Sequence, residues 1–198
     1  MPTDLGAIIA NLHAFYDFTR KSVISVGAGG GQLVHAWAPA REVVAIDADE
    51  RALQSLEQAL AAKPFRDRVR LVRADFLRTA FHADVVLFEF CLHEMSDPGA
   101  AIHHARCCAP DVVVLDHAED SDWAYFVAEE EKVRASSAAM RAAGIRQWRQ
   151  HDGVQRWAGY PELRAKVAGQ GQVAIDRIEE FRDSGEILIP MGYVLALL

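Results

Sequence analysis

Three side chains able to move a proton stand where two apolar runs end. Glu89 closes the run Val85-Val-Leu-Phe-Glu89, His93 follows it by four residues, and His117 leaves the run Val112-Val-Val-Leu-Asp116, with Glu94 and Glu119 close by. Carboxylates and imidazoles are common general bases, and a base that takes a proton from a hydroxyl or an ammonium group is worth about 10²–10⁴ in rate. Glu89 shares a strand face with Val85 and Leu87, where a carboxylate is costly unless it is paired or used. Structural roles are equally open: Glu89 accepting from nearby backbone N–H groups, and His93 as a hydrogen-bonded core histidine. His93, Glu94, His117 and Glu119, with Glu89, also have the ligand types for zinc, iron or manganese. No spacing fixes them as a set, and no metal is expected.

These residues need a frame, and Lys21–Leu33 supplies its first piece. The apolar strand Ser22-Val-Ile-Ser-Val26 runs into Gly27-Ala-Gly-Gly-Gly31, with a helix start expected from Gln32. Alternating glycines let a backbone turn sharply and approach a ligand without Cβ interference. A helix after such a turn would aim free N–H groups at a nucleotide-type cofactor. Counting from Gly27, the sixth position is Gln32, so the dinucleotide fingerprint is absent; so is the Gly-Lys-Ser/Thr of a P-loop. A second strand, Glu42–Asp47, ends on an acid 20 residues after Gly27. That is the span of one strand–helix–strand unit, which brings a carboxylate beside a ribose. Arg68–Phe76 gives a third strand closing on Asp75, and Ala83–Glu89 a fourth.

The Gly27-x-Gly-x-Gly31 turn, Asp47, Asp75 and the tail Cys91-Leu-His-Glu-Met95 followed by Asp97-Pro98 together resemble the class I S-adenosylmethionine-dependent methyltransferases. The tail is similar to the small-molecule branch of the ubiquinone/menaquinone type. The likeness covers about residues 21–118, and the rest at the level of the fold. It implies S-adenosylmethionine as cofactor, S-adenosylhomocysteine as product and a small-molecule acceptor. It places Ser25, Gly27, Gly29, Gly31, Asp47, Ala48, Asp75, Phe76 and Glu89 at the cofactor, with Glu89, His93 and His117 as catalytic candidates. One departure stands out: Ser25 occupies a position where the family usually has an acid. The resemblance also implies an α/β, Rossmann-like, seven-stranded mixed sheet of order 3-2-1-4-5-7-6, the last strand antiparallel, with helices on both faces.

Composition narrows the partners. At 198 residues and 51% hydrophobic, the chain can bury one substantial core. It reads as one domain, 1–198: a capping helix within 1–20, a cofactor half 21–118 and a substrate-side half 119–198. A net charge of −7 without basic runs argues against nucleic acid. Arg141, Arg146, Arg149 and Arg156 read as a solvated helix face. No apolar run approaches the ~18 residues that span a bilayer, the start is not a signal peptide, and three cysteines without C-x-x-C spacing suit neither disulfides nor a thiolate zinc site. The expected setting is reduced and cytoplasmic, with a homodimer left open.

The remaining elements follow from periodicity. Residues 4–19 carry a helical stripe from Leu5 to Tyr16 that would cap the sheet or cover the cleft. Helices are expected at 50–62, 98–107 and 160–169, and one long helix from Asp120–Asp122 to about Gly144, with Trp123 and Phe126 roofing an acceptor pocket. Ile175–Phe181 and Ile187–Leu198 read as two final strands joined by a turn at Asp183-Ser-Gly185, with Pro190 forcing a bulge. Three other functions compete: a non-catalytic cofactor- or metal-binding pathway protein on the same fold, a nicotinamide-dependent oxidoreductase, and a methyltransferase acting on protein or tRNA.

Overall fold

The computed structural model describes residues 4–198. Among these residues nine strands form: β1 (Ser22–Val26), β2 (Glu42–Asp47), β3 (Val69–Arg73), β4 (Val85–Glu89), β5 (Asp111–His117), β6 (Gln147–His151), β7 (Val154–Trp157), β8 (Ile187–Pro190) and β9 (Tyr193–Leu197). Seven of them make one sheet of order β3-β2-β1-β4-β5-β9-β6, while β7 and β8 pair as a separate ribbon. β1 to β5 pair in parallel, and β9 is antiparallel to both β5 and β6. With β6 and β9 as the sixth and seventh strands of the sheet, this is the expected order. The α-helices are α1 (Leu5–Phe15), α2 (Glu50–Leu60), α3 (Pro98–Cys108), α4 (Asp122–Phe126), α5 (Glu130–Ala143), α6 (Tyr160–Val167) and α7 (Gln172–Ile178).

The central strands are apolar because both their faces are covered. Every residue of β1 and β4 is buried, as in parallel sheets flanked by helices. Alternation sends Val23, Leu87 and Leu115 toward Leu12, Leu56 and Ile178 on one side. It sends Ile24, Phe88 and Val114 toward Ile102 and Met140 on the other. The same alternation places Ser25 and Glu89 on one face of neighbouring strands, Ser25 lying opposite Leu87. On β5 it points His117 and Asp116 to opposite faces. Among the described residues, no helix is long and apolar enough to cross a membrane.

Five expectations are corrected. No α-helix follows the glycine turn; Val34–Trp37 forms a single 3₁₀ turn. Only positions 32–41 separate Gly31 from β2, and Val34, Ala36 and Trp37 must all be buried within them. The long helix is broken into α4 and α5 at Ala128, whose φ of 58° is left-handed, and the break turns Glu129 inward to 5% exposure. Residues 175–181 are helical instead of extended: Ala174 and Ile178 are buried four apart on α7, and Glu179–Phe181 adds a 3₁₀ turn. No hairpin closes the chain through residues 183–185. The sixth strand of the sheet is β6, and the last apolar run divides at Pro190 into β8 and β9. The four arginines do not share a helix face either: Arg141 pairs with Glu119, Arg146 with Asp111 and Arg156 with Glu186, and Arg149 lies on β6.

Candidate active site

The cradle starts at the β1 turn. Gly27 has φ +66°, and a Cβ there would meet the Cys91 Cβ at 2.3 Å. The Cys91 thiol in turn donates to the Val26 carbonyl at 3.1 Å. At Gly31 (φ +86°) a Cβ would lie 2.8 Å from that of Ala59 on α2. Both glycines therefore let the loop lie flat between its neighbours. Asp47, at the end of β2, accepts from the Gly29 N–H and the Asp49 N–H, each at 2.9 Å. Its oxygens have lone pairs to spare for two ribose hydroxyls, so the residues present suit an adenosine cofactor.

Glu89 lies at the cradle's floor. Its Oε1 accepts from the Ser25 hydroxyl and from the Trp37 indole N–H, the latter at 2.7 Å. Burial raises its pKa against these two donors, to about 7. Ser25 thus stands at the position of the usual acid and bonds to an acid from the next strand.

Beyond Glu89 a cavity of about 520 Å³ runs from Gly27, Ala28 and Gly29 past Phe90 to His93, Glu94, His117 and Glu129. Asp116, fully buried on the far face of β5, accepts from the His93 N–H (3.0 Å), the His93 ring at Nδ1 (2.5 Å), the His117 N–H (3.0 Å) and the Ser136 hydroxyl (3.2 Å). That leaves His93 Nε2 facing Glu94 Oε1 at 3.5 Å and Glu129 Oε2 at 3.6 Å. Burial alone would depress the His93 pKa, but the carboxylates of Asp116, Glu129 and Glu94 outweigh it and raise the value to about 11. Glu94 is held well below the usual carboxylate range, chiefly by His93 and despite partial burial. Lys132 also bonds it at 2.9 Å. His117 is the opposite case: burial pushes its pKa down to about 4, and its Nδ1 has no hydrogen-bond partner. One imidazole is therefore cationic and its neighbour, 5.2 Å away between ring centres, neutral at pH 7.

The outer wall is aromatic. Trp123 and Trp157 stack at 5.5 Å and 23° and line the cavity with Gln155 and Met191, while Leu5 and Ile8 of α1 close one side. Phe90 adopts φ 50° at this wall, a left-handed backbone of the kind concentrated at functional sites.

Of the residues singled out from sequence, Gly27, Gly29, Glu89, His93 and His117 line this cavity together. Ser25 and Asp47 touch it through Glu89 and Gly29. Ala48 is exposed beside Asp47. Asp75 caps a 3₁₀ turn by accepting from Leu77, and the Phe76 ring packs edge-on against Phe88 at 5.6 Å. Glu119 is at the surface with Arg141, and Phe126 packs on Phe181. Trp37, Asp116, Glu129, Gln155 and Trp157 were not foreseen; only Asp116, an acid inside an apolar strand, carried a sequence signal.

The parallel strands β1 to β5, with a glycine turn after the first and an acid at the end of the second, have the geometry of a nucleotide-cofactor site in an α/β fold. Residues 24–113 match the family described as "Methyltransferase domain". No curated protein matches the sequence. Among solved structures, the YcgJ protein of Bacillus subtilis is similar over 98% of this chain and 96% of its own, at TM-score 0.68 and 15% identity. Magnesium protoporphyrin IX methyltransferase of Synechocystis PCC 6803, solved with bound SAH, is similar over 97% of this chain and 80% of its own (TM-score 0.57, 14% identity). The precorrin 8W decarboxylase of Methanobacterium thermoautotrophicum gives 96% and 89% (TM-score 0.62, 13% identity). At these identities the likeness is one of fold.

Proposed function

We propose that the protein methylates a small molecule held between the glycine turn and the Trp123–Trp157 pair, using S-adenosylmethionine. One observation carries this reading: a single cavity joins the cofactor turn and Glu89 to the side chains of His93 and His117. The cofactor supplies an activated methyl group on a cationic sulfur. The chain's own work is then to bind, orient and dry the site. Asp47 accepts from the ribose hydroxyls, and the Gly27–Gly31 loop admits the nucleoside. Glu89, its pKa about 7, places a carboxylate near the cationic end of the cofactor that Ser25 does not supply. His117 is the base at the acceptor end of that cavity, and His93 turns its Nε2 toward the same space. The stacked indoles favour a flat aromatic acceptor, in keeping with the likeness of Cys91–Met95 to quinone-type enzymes.

Calorimetric titration with S-adenosylhomocysteine and with NADH tests the cofactor. The expected result is one site for the former and none for NADH. Asp47→Ala should weaken S-adenosylhomocysteine by about 1–3 kcal/mol, roughly 5- to 150-fold, through lost ribose hydrogen bonds. An unchanged dissociation constant would remove the ribose from Asp47.

A further inference from the structure

We propose that His93, Glu94 and Glu129 form a binding site for a divalent first-row metal ion of the zinc or manganese kind, at the acceptor end of the cavity. The three side chains come from the loop after β4 and from the break between α4 and α5, 36 positions apart at the extremes. Each offers one ligand atom to the cavity, and these atoms lie within 4.8 Å of one another.

The spacing is that of ligands around an ion. Bonds of about 2.0–2.2 Å opened to a tetrahedral angle separate two ligand atoms by about 3.4 Å; His93 Nε2 stands 3.5 Å from Glu94 and 3.6 Å from Glu129. Charge-assisted hydrogen bonds between nitrogen and carboxylate would close to about 2.7–2.9 Å. The carboxylates hold off at the longer value.

Two further observations belong to a metal centre. Asp116 grips His93 at Nδ1, fixing the ring so that Nε2 faces the cavity, the carboxylate–histidine arrangement that supports metal-bound imidazoles. Glu129, with its side chain only 6% exposed, has a buried Oε1 without a hydrogen bond; its nearest cation, Lys132 Nζ, is 3.5 Å away. The break at Ala128 that turns this carboxylate inward uses a left-handed alanine, a conformation with a cost of its own. One nitrogen and two carboxylate oxygens suit zinc or manganese better than copper(I) or an iron–sulfur cluster. Binding exchanges the proton on Nε2 for the ion, whose remaining positions open onto the cavity. The site itself does not depend on methyl transfer.

The test is titration of metal-stripped protein with Co²⁺, read by its visible d–d absorption, followed by displacement with Zn²⁺. One equivalent per chain is expected, with affinity at least about 10-fold weaker in Glu129→Gln and about 10- to 100-fold weaker in Asp116→Asn. Lys132→Met, which removes a competing cation, should bind Co²⁺ at least as tightly as the wild type. Near-ultraviolet circular dichroism and S-adenosylhomocysteine titration of each variant separate metal loss from misfolding and from failure of the cofactor assignment. Absence of Co²⁺ absorption at one equivalent, or folded Glu129→Gln titrating like the wild type, overturns the site.

Discussion

Glu89 is a carboxyl whose burial and whose partners pull in opposite directions. Its folded pKa of about 7 lies above the ordinary 4.5, so between those values the native chain holds a proton that the unfolded chain has released. Stability from this group is complete below pH 4.5 and lost as pH rises through 7, which at about 1.4 kcal/mol per pH unit is about 3 kcal/mol. Glu89→Gln removes the titration. Denaturant unfolding at pH 4.5 and pH 8 should therefore show the variant gaining up to about 3 kcal/mol on the wild type; a constant difference would mean that Glu89 stays ionised. Binding of a cationic cofactor favours the carboxylate, so wild-type affinity for S-adenosylmethionine should rise from pH 6 to pH 8. In Glu89→Gln that rise should flatten, as calorimetry at the two pH values will show.

At the scale of elements, the β1–β2 connection is held by packing in place of a helix. Gly27 against Cys91 and Gly31 against Ala59 leave no room for a methyl group. Gly27→Ala combines overpacking with a left-handed alanine and should cost about 2–4 kcal/mol by urea unfolding, with weaker S-adenosylhomocysteine binding. β1, β4 and β5 were legible because a strand buried on both faces writes an unbroken apolar run, and β2 and β3 through their spacing and the acids that follow them. β6 was not: Gln147-Trp-Arg-Gln-His151 is a half-exposed edge strand whose residues carry no alternation. Nor was α7, where Val173 is 54% exposed and its neighbours Ala174 and Ile178 are buried, so that a short apolar stretch looked extended. The site divides the same way. The glycine turn, Glu89, His93 and His117 follow directly from strand ends. The bonds of His93 to Asp116 and of Glu89 to Trp37 span 23 and 52 positions and exist only once the sheet is assembled.

For the molecule as a whole, the cavity lies between the carboxyl ends of β1, β4 and β5 and the segment from α4 to Met191, so occupancy should be felt globally. At 100 times its dissociation constant, a ligand bound only by the native state adds about 2.7 kcal/mol. For a domain of this size that raises Tm by about 5–11 °C. Differential scanning calorimetry with S-adenosylhomocysteine checks this, and Asp47→Ala at the same ligand concentration should show a markedly smaller shift. A rise equal in the two proteins would point to binding elsewhere.

The Trp37 indole donates its N–H to a carboxyl group that changes charge near neutrality. An ionising neighbour at 2.7 Å perturbs an indole's excited state, so this bond makes the protein its own optical pH electrode. The emission lost on replacing Trp37 by phenylalanine, recorded as a difference spectrum, should carry an inflection close to pH 7. The signal needs no label, and it would follow the charge at the cradle's floor in real time as ligands arrive.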